Sequence, residues 1–211
     1  MSRYNLEQSE VLAAVRRCLS TLPRGELLNL RDRCSDYLAF RRDTALFLDA
    51  HFADHCGQSC YESEKSACCQ REGIITFFAD VVVNALVAEE YELNAMAVAL
   101  ARARRTNRCV YLGPKGCLWR VKPIVCEMFL CRPAKQAVFG QNPAAEKRWA
   151  ELEAAERTFK WPDRSVLFDD LETIFLSKGV RSPLMYLHNS PGLLAVKKRH
   201  GLPVPKKHER P

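Results

Sequence analysis

Apolar and polar residues follow a helical period over much of the 211-residue chain. Residues 3–22 place apolar side chains three or four positions apart with charges between them, which predicts an amphipathic helix that ends at Pro23. A second helical stretch is predicted for residues 25–50. From His51 to Gly73, cysteine, glycine, serine and charged residues replace this pattern, which predicts a loop or a set of short turns.

The helical pattern returns in the rest of the chain. Further helices are predicted at residues 74–104 (as one or two helices), 144–159, 164–178 and 182–196. Turn residues Gly113 to Gly116 separate two short runs, Cys109–Leu112 and Cys117–Val121, which predict a small β-hairpin. The predicted fold class is therefore mainly α, a helical domain with irregular cysteine-rich segments that form a metal-binding core.

The formal net charge of +7 is concentrated at the end of the sequence. Residues 197–211 hold six lysine or arginine residues against one glutamate, a net of +5, which leaves +2 for the other 196 residues. We expect a single helical domain at residues 1–196 and a basic flexible tail at residues 197–211. No aromatic-rich or base-reading motif accompanies the tail, so nucleic acid is not expected as a partner.

The first ten residues are polar and lack the apolar segment of a secretory signal. No apolar run approaches the ~18 residues that a membrane span needs. We therefore expect a cytoplasmic protein with no membrane partner. Cytoplasmic thiols are kept reduced, so clustered cysteines there indicate metal or redox chemistry rather than structural disulfides.

Eight of the ten cysteines lie between residues 56 and 131. We call Cys56, Cys60, Cys68 and Cys69 the first motif, and Cys109, Cys117, Cys126 and Cys131 the second motif. Thiolates are soft ligands, and four of them complete a structural zinc site or a [4Fe–4S] cluster. Eight thiols supply up to two such sets, or one site with cysteines to spare. The other two, Cys18 and Cys34, occupy apolar helix positions and are expected to be buried.

Spacing within the motifs constrains how they bind a metal. Cys56 and Cys60 share one face if their segment is helical, whereas the adjacent side chains of Cys68 and Cys69 diverge in a helix or a strand. One member of this vicinal pair then binds metal while the other packs or is redox-active, or the two serve neighbouring metals. The second-motif cysteines are eight, nine and five residues apart, so the fold must bring them together.

The order of these segments resembles the cysteine-cluster proteins described as zinc- or iron-chelating domains, the CxxCxxCC type. The first motif ends in the vicinal pair and is followed by Gly73-Ile-Ile-Thr76, which is similar to the family's helix start. The second motif gives Cys109-Val-Tyr-Leu112, a turn, Cys117-Leu-Trp119 and Lys122-Pro123-Ile-Val-Cys126-Glu-Met-Phe129. The resemblance covers about 80 of the 211 residues.

The resemblance implies a metal-binding protein that holds iron, as an iron–sulfur cluster, or zinc through the eight clustered cysteines. No catalytic residue and no other cofactor is assigned. Some members of the family are described as flagellin lysine methylases, which implies an alternative, a metal-dependent protein-modifying enzyme. The sequence contains no recognisable site for S-adenosylmethionine, which a methylase needs. A third hypothesis is a redox sensor that uses Cys68 and Cys69, and the protein partner is left open.

Other polar residues near the motifs have ordinary explanations. His51 and His55 flank the first motif and are interpreted as surface or helix-end histidines rather than as ligands. Glu127, next to a second-motif cysteine, is interpreted as a solvated charge. Lys122 either lowers the pKa of a neighbouring thiol or packs its aliphatic stem against an aromatic ring.

Overall fold

Helices account for most of the residues that the computed structural model describes, which are 2–62, 69, 75–102, 108–159, 167–186 and 191–201. The ten α-helices in those ranges are α1 Arg3–Thr21, α2 Arg24–Arg33, α3 Ser35–Cys56, α4 Phe78–Val87, α5 Glu90–Ala101, α6 Ile124–Glu127, α7 Arg132–Phe139, α8 Pro143–Arg157, α9 Leu167–Ser177 and α10 Pro191–Arg199. A π-helix, Gly57–Glu62, continues α3, and a 3₁₀ helix spans Pro183–Tyr186. The prediction of a mainly α fold is confirmed.

Helix starts follow the local sequence. The Ser2 hydroxyl accepts a hydrogen bond from the Asn5 backbone N–H at 3.1 Å and caps α1. The Asn142 side chain accepts from the Ala145 N–H at 3.0 Å and caps α8, whose first residue is Pro143. Short polar side chains satisfy the unpaired N–H groups of a first turn, and proline is preorganised for its first position. These two helices begin within a residue of their predicted starts.

Three predictions about the helices are wrong in detail. The stretch at 25–50 is two helices, because the chain breaks at Cys34 between α2 and α3. Residues 51–62, predicted as loop, continue α3 and its π-helix, because Phe52 carries the buried face of α3 past the predicted end. The helix α7 was not predicted, since its eight residues are too few to show a clear period.

Two groups of helices build the core. In the first, α1 packs against α4 and α5, α4 packs against α9, and α9 packs against α10. In the second, α3 packs against α7 and α8, which also pack on each other. The Tyr37 ring of α3 meets the Phe168 ring of α9 edge-on, with centroids 5.8 Å apart, so aromatic packing joins the two groups.

The two cysteines outside the motifs are part of this core. Cys18 is 9% exposed and Cys34 is 0% exposed, which confirms the prediction that they are buried. Burial raises the pKa of Cys34 to about 11. Thiols in such surroundings stay protonated and inert, so these two residues serve packing.

The predicted hairpin is present, with shorter strands than expected. Strand β1, Leu112–Gly113, pairs antiparallel with β2, Gly116–Cys117, and Leu112 lies opposite Cys117. Gly116 has a φ of +108°, a conformation that glycine adopts without strain. The hairpin thus brings Cys117 beside Leu112, three residues after Cys109 in the sequence.

Of the helices in the described ranges, none is long and apolar enough to cross a membrane. Helix α10 includes Lys197–Arg199, and Lys197 is buried. Residues 202–211 of the predicted tail lie outside the described residues.

Candidate functional site

The hairpin directs backbone N–H groups at the first two sulfurs of the second motif. The Tyr111 N–H donates to Cys109 Sγ at 3.4 Å. Burial raises the pKa of the Cys109 and Cys117 thiols, and the backbone N–H groups of Leu112 and Trp119, respectively, oppose that rise. The Leu112 N–H itself donates to the Cys109 carbonyl at 3.1 Å. Donors of this kind favour the thiolate over the thiol. The local backbone is therefore arranged around anionic sulfur.

Burial disfavours the thiolate forms of these cysteines when no cation is bound. Burial, together with charge on Cys117 or Cys126, raises the pKa of Cys109 to about 12. Desolvation also raises the pKa of Cys117, although the residue as a whole is exposed, and Lys122 lowers it. This effect of Lys122 on Cys117 agrees with the interpretation that Lys122 lowers the pKa of a neighbouring thiol. The Cys109 sulfur therefore lies close enough to the Cys117 and Cys126 sulfurs for charge on them to oppose its ionisation.

Helix α4 positions the segment that carries Cys126. The Ile124 backbone N–H, at the start of α6, donates to Asp80 Oδ1 at 3.1 Å. The Val121 N–H donates to Asn84 Oδ1 at 3.0 Å. Both acceptors are buried on α4, so the backbone donors of this segment are paired where water does not reach them.

Helix α3 holds the same segment from another direction. Arg41 Nε donates to Glu127 Oε2 at 2.7 Å, and both side chains are at most 4% exposed. Arg41 Nη1 donates to the Tyr37 hydroxyl at 2.7 Å, and Nη2 donates to the Lys122 carbonyl at 2.5 Å. The interpretation of Glu127 as a solvated charge is wrong, because it forms a buried ion pair.

Parts of the first motif lie against the second. The Cys109 N–H donates to the Cys69 carbonyl at 2.6 Å. In the π-helix, the Tyr61 hydroxyl donates to the Gly113 carbonyl of the hairpin at 2.8 Å. Arg108 Nη2 donates to the Tyr61 carbonyl at 3.3 Å, and its guanidinium carbon lies 5.2 Å from the centre of the Tyr61 ring. Segments 40 to 52 residues apart in the sequence are thus in direct contact.

The remaining cysteines of the motifs lie at helix ends or outside the described residues. Cys56 is the last residue of α3 and Cys131 immediately precedes α7, and both are half-buried. Helices α3 and α7 pack on each other. The Cys60 backbone is in the π-helix, but its side chain and all of Cys68 lie outside the described residues.

The histidines near the first motif belong to α3. The His51 ring lies 4.7 Å from the Phe47 ring, centroid to centroid, so it packs against an aromatic residue one turn away. His55 is in the last turn of the helix. Both are half-buried.

No three His, Cys, Asp or Glu side chains form a group that could hold a metal ion within the part of the chain that the structure describes. Charge on Cys117 or Cys126 raises the pKa of Cys109, and Cys69 is hydrogen-bonded to Cys109 through the backbone. Two of the eight predicted ligand side chains, those of Cys60 and Cys68, lie outside the described residues. The metal-ligand set stays a prediction.

Helix α1 contributes polar side chains that the sequence pattern did not identify. We call Tyr4, Gln8, Thr76 and Tyr111 the polar layer. Gln8 Nε2 donates to Thr76 Oγ1 at 2.5 Å, and the Tyr111 hydroxyl donates to Gln8 Oε1 at 2.9 Å. The one sequence signal is that Gln8, which is 2% exposed, stands four residues before Leu12 on the apolar face of α1.

Comparisons with known proteins identify no relative. No protein family, no curated protein and no solved structure matches the chain. The resemblance to the cysteine-cluster family therefore stays an expectation, based on the residues of the two motifs.

Proposed function

We propose that the protein binds iron, as an iron–sulfur cluster, or zinc through thiolates of the two cysteine motifs. The observation that carries this proposal is the Tyr111 backbone N–H, which donates to the buried Cys109 sulfur beside the backbone contact between Cys109 and Cys69. A neutral thiol is a weak acceptor, so such donors serve a purpose only when the sulfur is charged. Metal-bound cysteine is thiolate. The bound cation neutralises the negative charge on sulfur that burial otherwise disfavours.

The chemistry of the residues fits such a group. Thiolates are the ligands that zinc and iron–sulfur clusters prefer. Cys109, Cys117 and Cys126 are the proposed second-motif ligands, and Cys131 is a further one. In the first motif, Cys69 lies beside Cys109. We propose Cys60, Cys68 and Cys69 as the ligands from this motif, with Cys56 as a further one. The exposed position of Cys117 offers a path for metal entry from solvent.

The chain's own residues would hold these ligands in place. Arg41 and Asp80 fix the segment that bears Cys126, and the Tyr111 backbone N–H, next to the hairpin, orients the sulfur of Cys109. Supporting contacts of this kind tune metal affinity and redox potential. A bound cluster would supply electron transfer, whereas zinc would supply a structural cross-link. The protein-modifying enzyme and the Cys68–Cys69 redox sensor stay predictions, and no contact described above favours either of them.

Anaerobic purification followed by elemental analysis and a visible spectrum tests the proposal. We expect either iron with sulfide and a coloured protein, or zinc and a colourless one. Cys109→Ser should lose most of the metal, because Cys109 is buried and its sulfur accepts the Tyr111 backbone N–H. Cys18→Ser is the matched control, since it changes another buried cysteine outside both motifs and should retain the metal.

Two results would overturn the proposal. One is wild-type protein that carries neither metal and in which all ten thiols react with an alkylating reagent once the protein is unfolded in urea. The other is a folded Cys109→Ser variant with the same metal content as wild type.

A further inference from the structure

Helices α1 and α5 pack side by side and run in opposite directions. The Asn5 side chain, near the start of α1, donates to the Leu100 carbonyl near the end of α5 at 3.1 Å. Toward the other end of the pair, the Arg16 guanidinium forms an ion pair with Glu90 and donates to Asn94 Oδ1 at 2.9 Å. These contacts fix the register of an antiparallel helix pair.

Each helix also carries a stripe of exposed residues spaced three or four positions apart, which places them on one side of that helix. The stripes are Leu6, Glu10, Ala13 and Arg17 on α1 and Tyr91, Ala95 and Val98 on α5. Tyr91 is 70% exposed, Val98 is 50% exposed and Leu6 is 44% exposed. Scattered exposed apolar side chains are ordinary, whereas several on one face indicate an interaction surface.

The two stripes lie on the same side of the helix pair. Arg17 directly follows Arg16, which contacts α5, and Tyr91 directly follows Glu90, which contacts α1. One position is a rotation of about 100° around a helix, in the same sense in both helices. Because the helices run in opposite directions, equal rotations away from their contact turn both stripes toward one surface. We call the seven residues of the two stripes the α1–α5 face.

The charges on the α1 stripe are complementary to those of a second copy of the same stripe. Glu10 lies three residues before Ala13, and Arg17 lies four residues after it. When two copies of α1 cross at Ala13 in antiparallel orientation, Glu10 of each copy lies opposite Arg17 of the other, and the two-fold axis forms this pair twice. A parallel pairing would instead place like charges opposite each other, which is unfavourable. The small Ala13 side chain allows the two helices to approach closely.

We propose that the α1–α5 face is the interface of a homodimer in which α1 packs antiparallel on α1 of the second copy. The same two-fold axis places α5 on α5 of the second copy, which covers the exposed Tyr91 and Val98 side chains. No cysteine of either motif belongs to this face, so the inference is independent of the proposed metal site.

The size of the α1–α5 face sets the expected affinity. Helices of 19 and 12 residues are about 28 Å and 18 Å long, and at a spacing of 8–10 Å they offer roughly 400 Å² in projection. This is at the low end for specific protein interfaces, so we expect a reversible dimer with a Kd on the order of micromolar.

Sedimentation equilibrium of the full-length protein, from about 1 to 200 μM, tests the proposal. Arg17→Glu should raise the dimer Kd by about 10-fold or more, because it places like charges opposite each other twice. Glu10→Arg combined with Arg17→Glu should bring the Kd back toward the wild-type value, because the exchanged charges again attract. Ala13→Gln should also raise the Kd, because it holds the two helices apart. Circular dichroism checks that each variant keeps its helical content.

The matched control is Lys147→Glu, which makes the same kind of charge reversal at an exposed position on α8 and should leave the Kd unchanged. Wild-type protein that stays monomeric over the whole concentration range overturns the proposal. A dimer with the same Kd in wild type and Arg17→Glu also overturns it, because another surface then forms the dimer. If the double variant does not recover the Kd, the antiparallel pairing of α1 is wrong. Each of these results leaves the proposed metal binding untouched.

Discussion

Glu172 is a carboxylic acid on α9 with 0% exposure, and neither of its oxygens has a hydrogen-bond partner among the described residues. Burial, with a smaller contribution from the nearby Asp169, raises its pKa to about 9. Lys197 of α10, also buried, opposes that shift, and burial lowers the pKa of Lys197 to about 8. The interior between α9 and α10 therefore favours the uncharged carboxyl.

This arrangement predicts that stability falls as pH rises. Between the ordinary pKa of 4.5 and the folded value of about 9, the native state keeps a proton on Glu172 that the unfolded state releases. The free energy of unfolding should then drop by up to about 1.4 kcal/mol per pH unit. The lowered pKa of Lys197 gives the opposite slope, but only above about 8, so the clean window is roughly pH 5 to 8. Urea unfolding across this window measures it.

The matched variant for this prediction is Glu172→Gln. Glutamine mimics the neutral acid, so the variant should equal wild type near the low end of the window and be more stable at the high end. Glu151→Gln, at a half-exposed position on α8, should leave the pH slope unchanged. Parallel stability profiles for wild type and Glu172→Gln would show that the carboxyl does not carry the slope.

At the scale of single residues, the sequence predicts which side chains are buried better than it predicts which side chains interact with each other. Cys18 and Cys34 are buried as expected, because apolar spacing in a helix reports the core face directly. The burial of Glu127 was not predicted, because its partner Arg41 lies 86 positions earlier in the chain.

Among the elements, those with a full apolar stripe were predictable and those around the motifs were not. The predicted helices at 144–159 and 164–178 correspond to α8 and α9 within a few residues. The extension of α3 to Cys56 and into a π-helix has no periodic signal, because polar residues fill most of its last turns. Short π-helical segments occur often at functional sites, where geometry rather than propensity decides the backbone.

The buried Arg41–Glu127 ion pair joins α3 to α6, and its contribution to the free energy of unfolding can be predicted. Arg41→Met leaves the Glu127 carboxylate buried without its cation, so it should lower the free energy of unfolding by about 3–5 kcal/mol in urea unfolding. The double variant Arg41→Met with Glu127→Leu should recover much of that loss, because no buried charge remains. The coupling between the two positions is obtained from the full double-mutant cycle.

A surface ion pair on α8 provides the comparison for this prediction. Arg148 pairs with Glu151 and Asp43, and its side chain is 48% exposed. Arg148→Met should cost less than about 1 kcal/mol. If Arg41→Met were as mild as Arg148→Met, the Arg41–Glu127 pair would not be what holds the Cys126 segment on α3.

At the scale of the whole molecule, the helices that flank the first motif also hold the second. Helix α3 runs into the first motif and supplies Arg41, whereas α4 follows the first motif and supplies Asp80. Together with the Tyr61 and Cys69 contacts, this joins the two motifs through the core and not only at their surface. Sequence order and spacing indicated that the motifs belong together but could not show which contacts join them.

Because both motifs are proposed to share one metal site, metal removal should loosen them together. We expect amide hydrogen exchange in residues 57–62 and 108–127 to be slower in the metal-loaded protein than after EDTA treatment, while exchange in α8 stays the same. A metal held by the native state alone stabilises it by about 4 kcal/mol at a thousandfold excess over Kd, which is enough to suppress local opening. Cys109→Ser, treated identically, should show the fast exchange in both segments with or without added metal. Protection gained only in residues 108–127 would mean that the first motif supplies no ligand, and the site would then belong to the second motif alone.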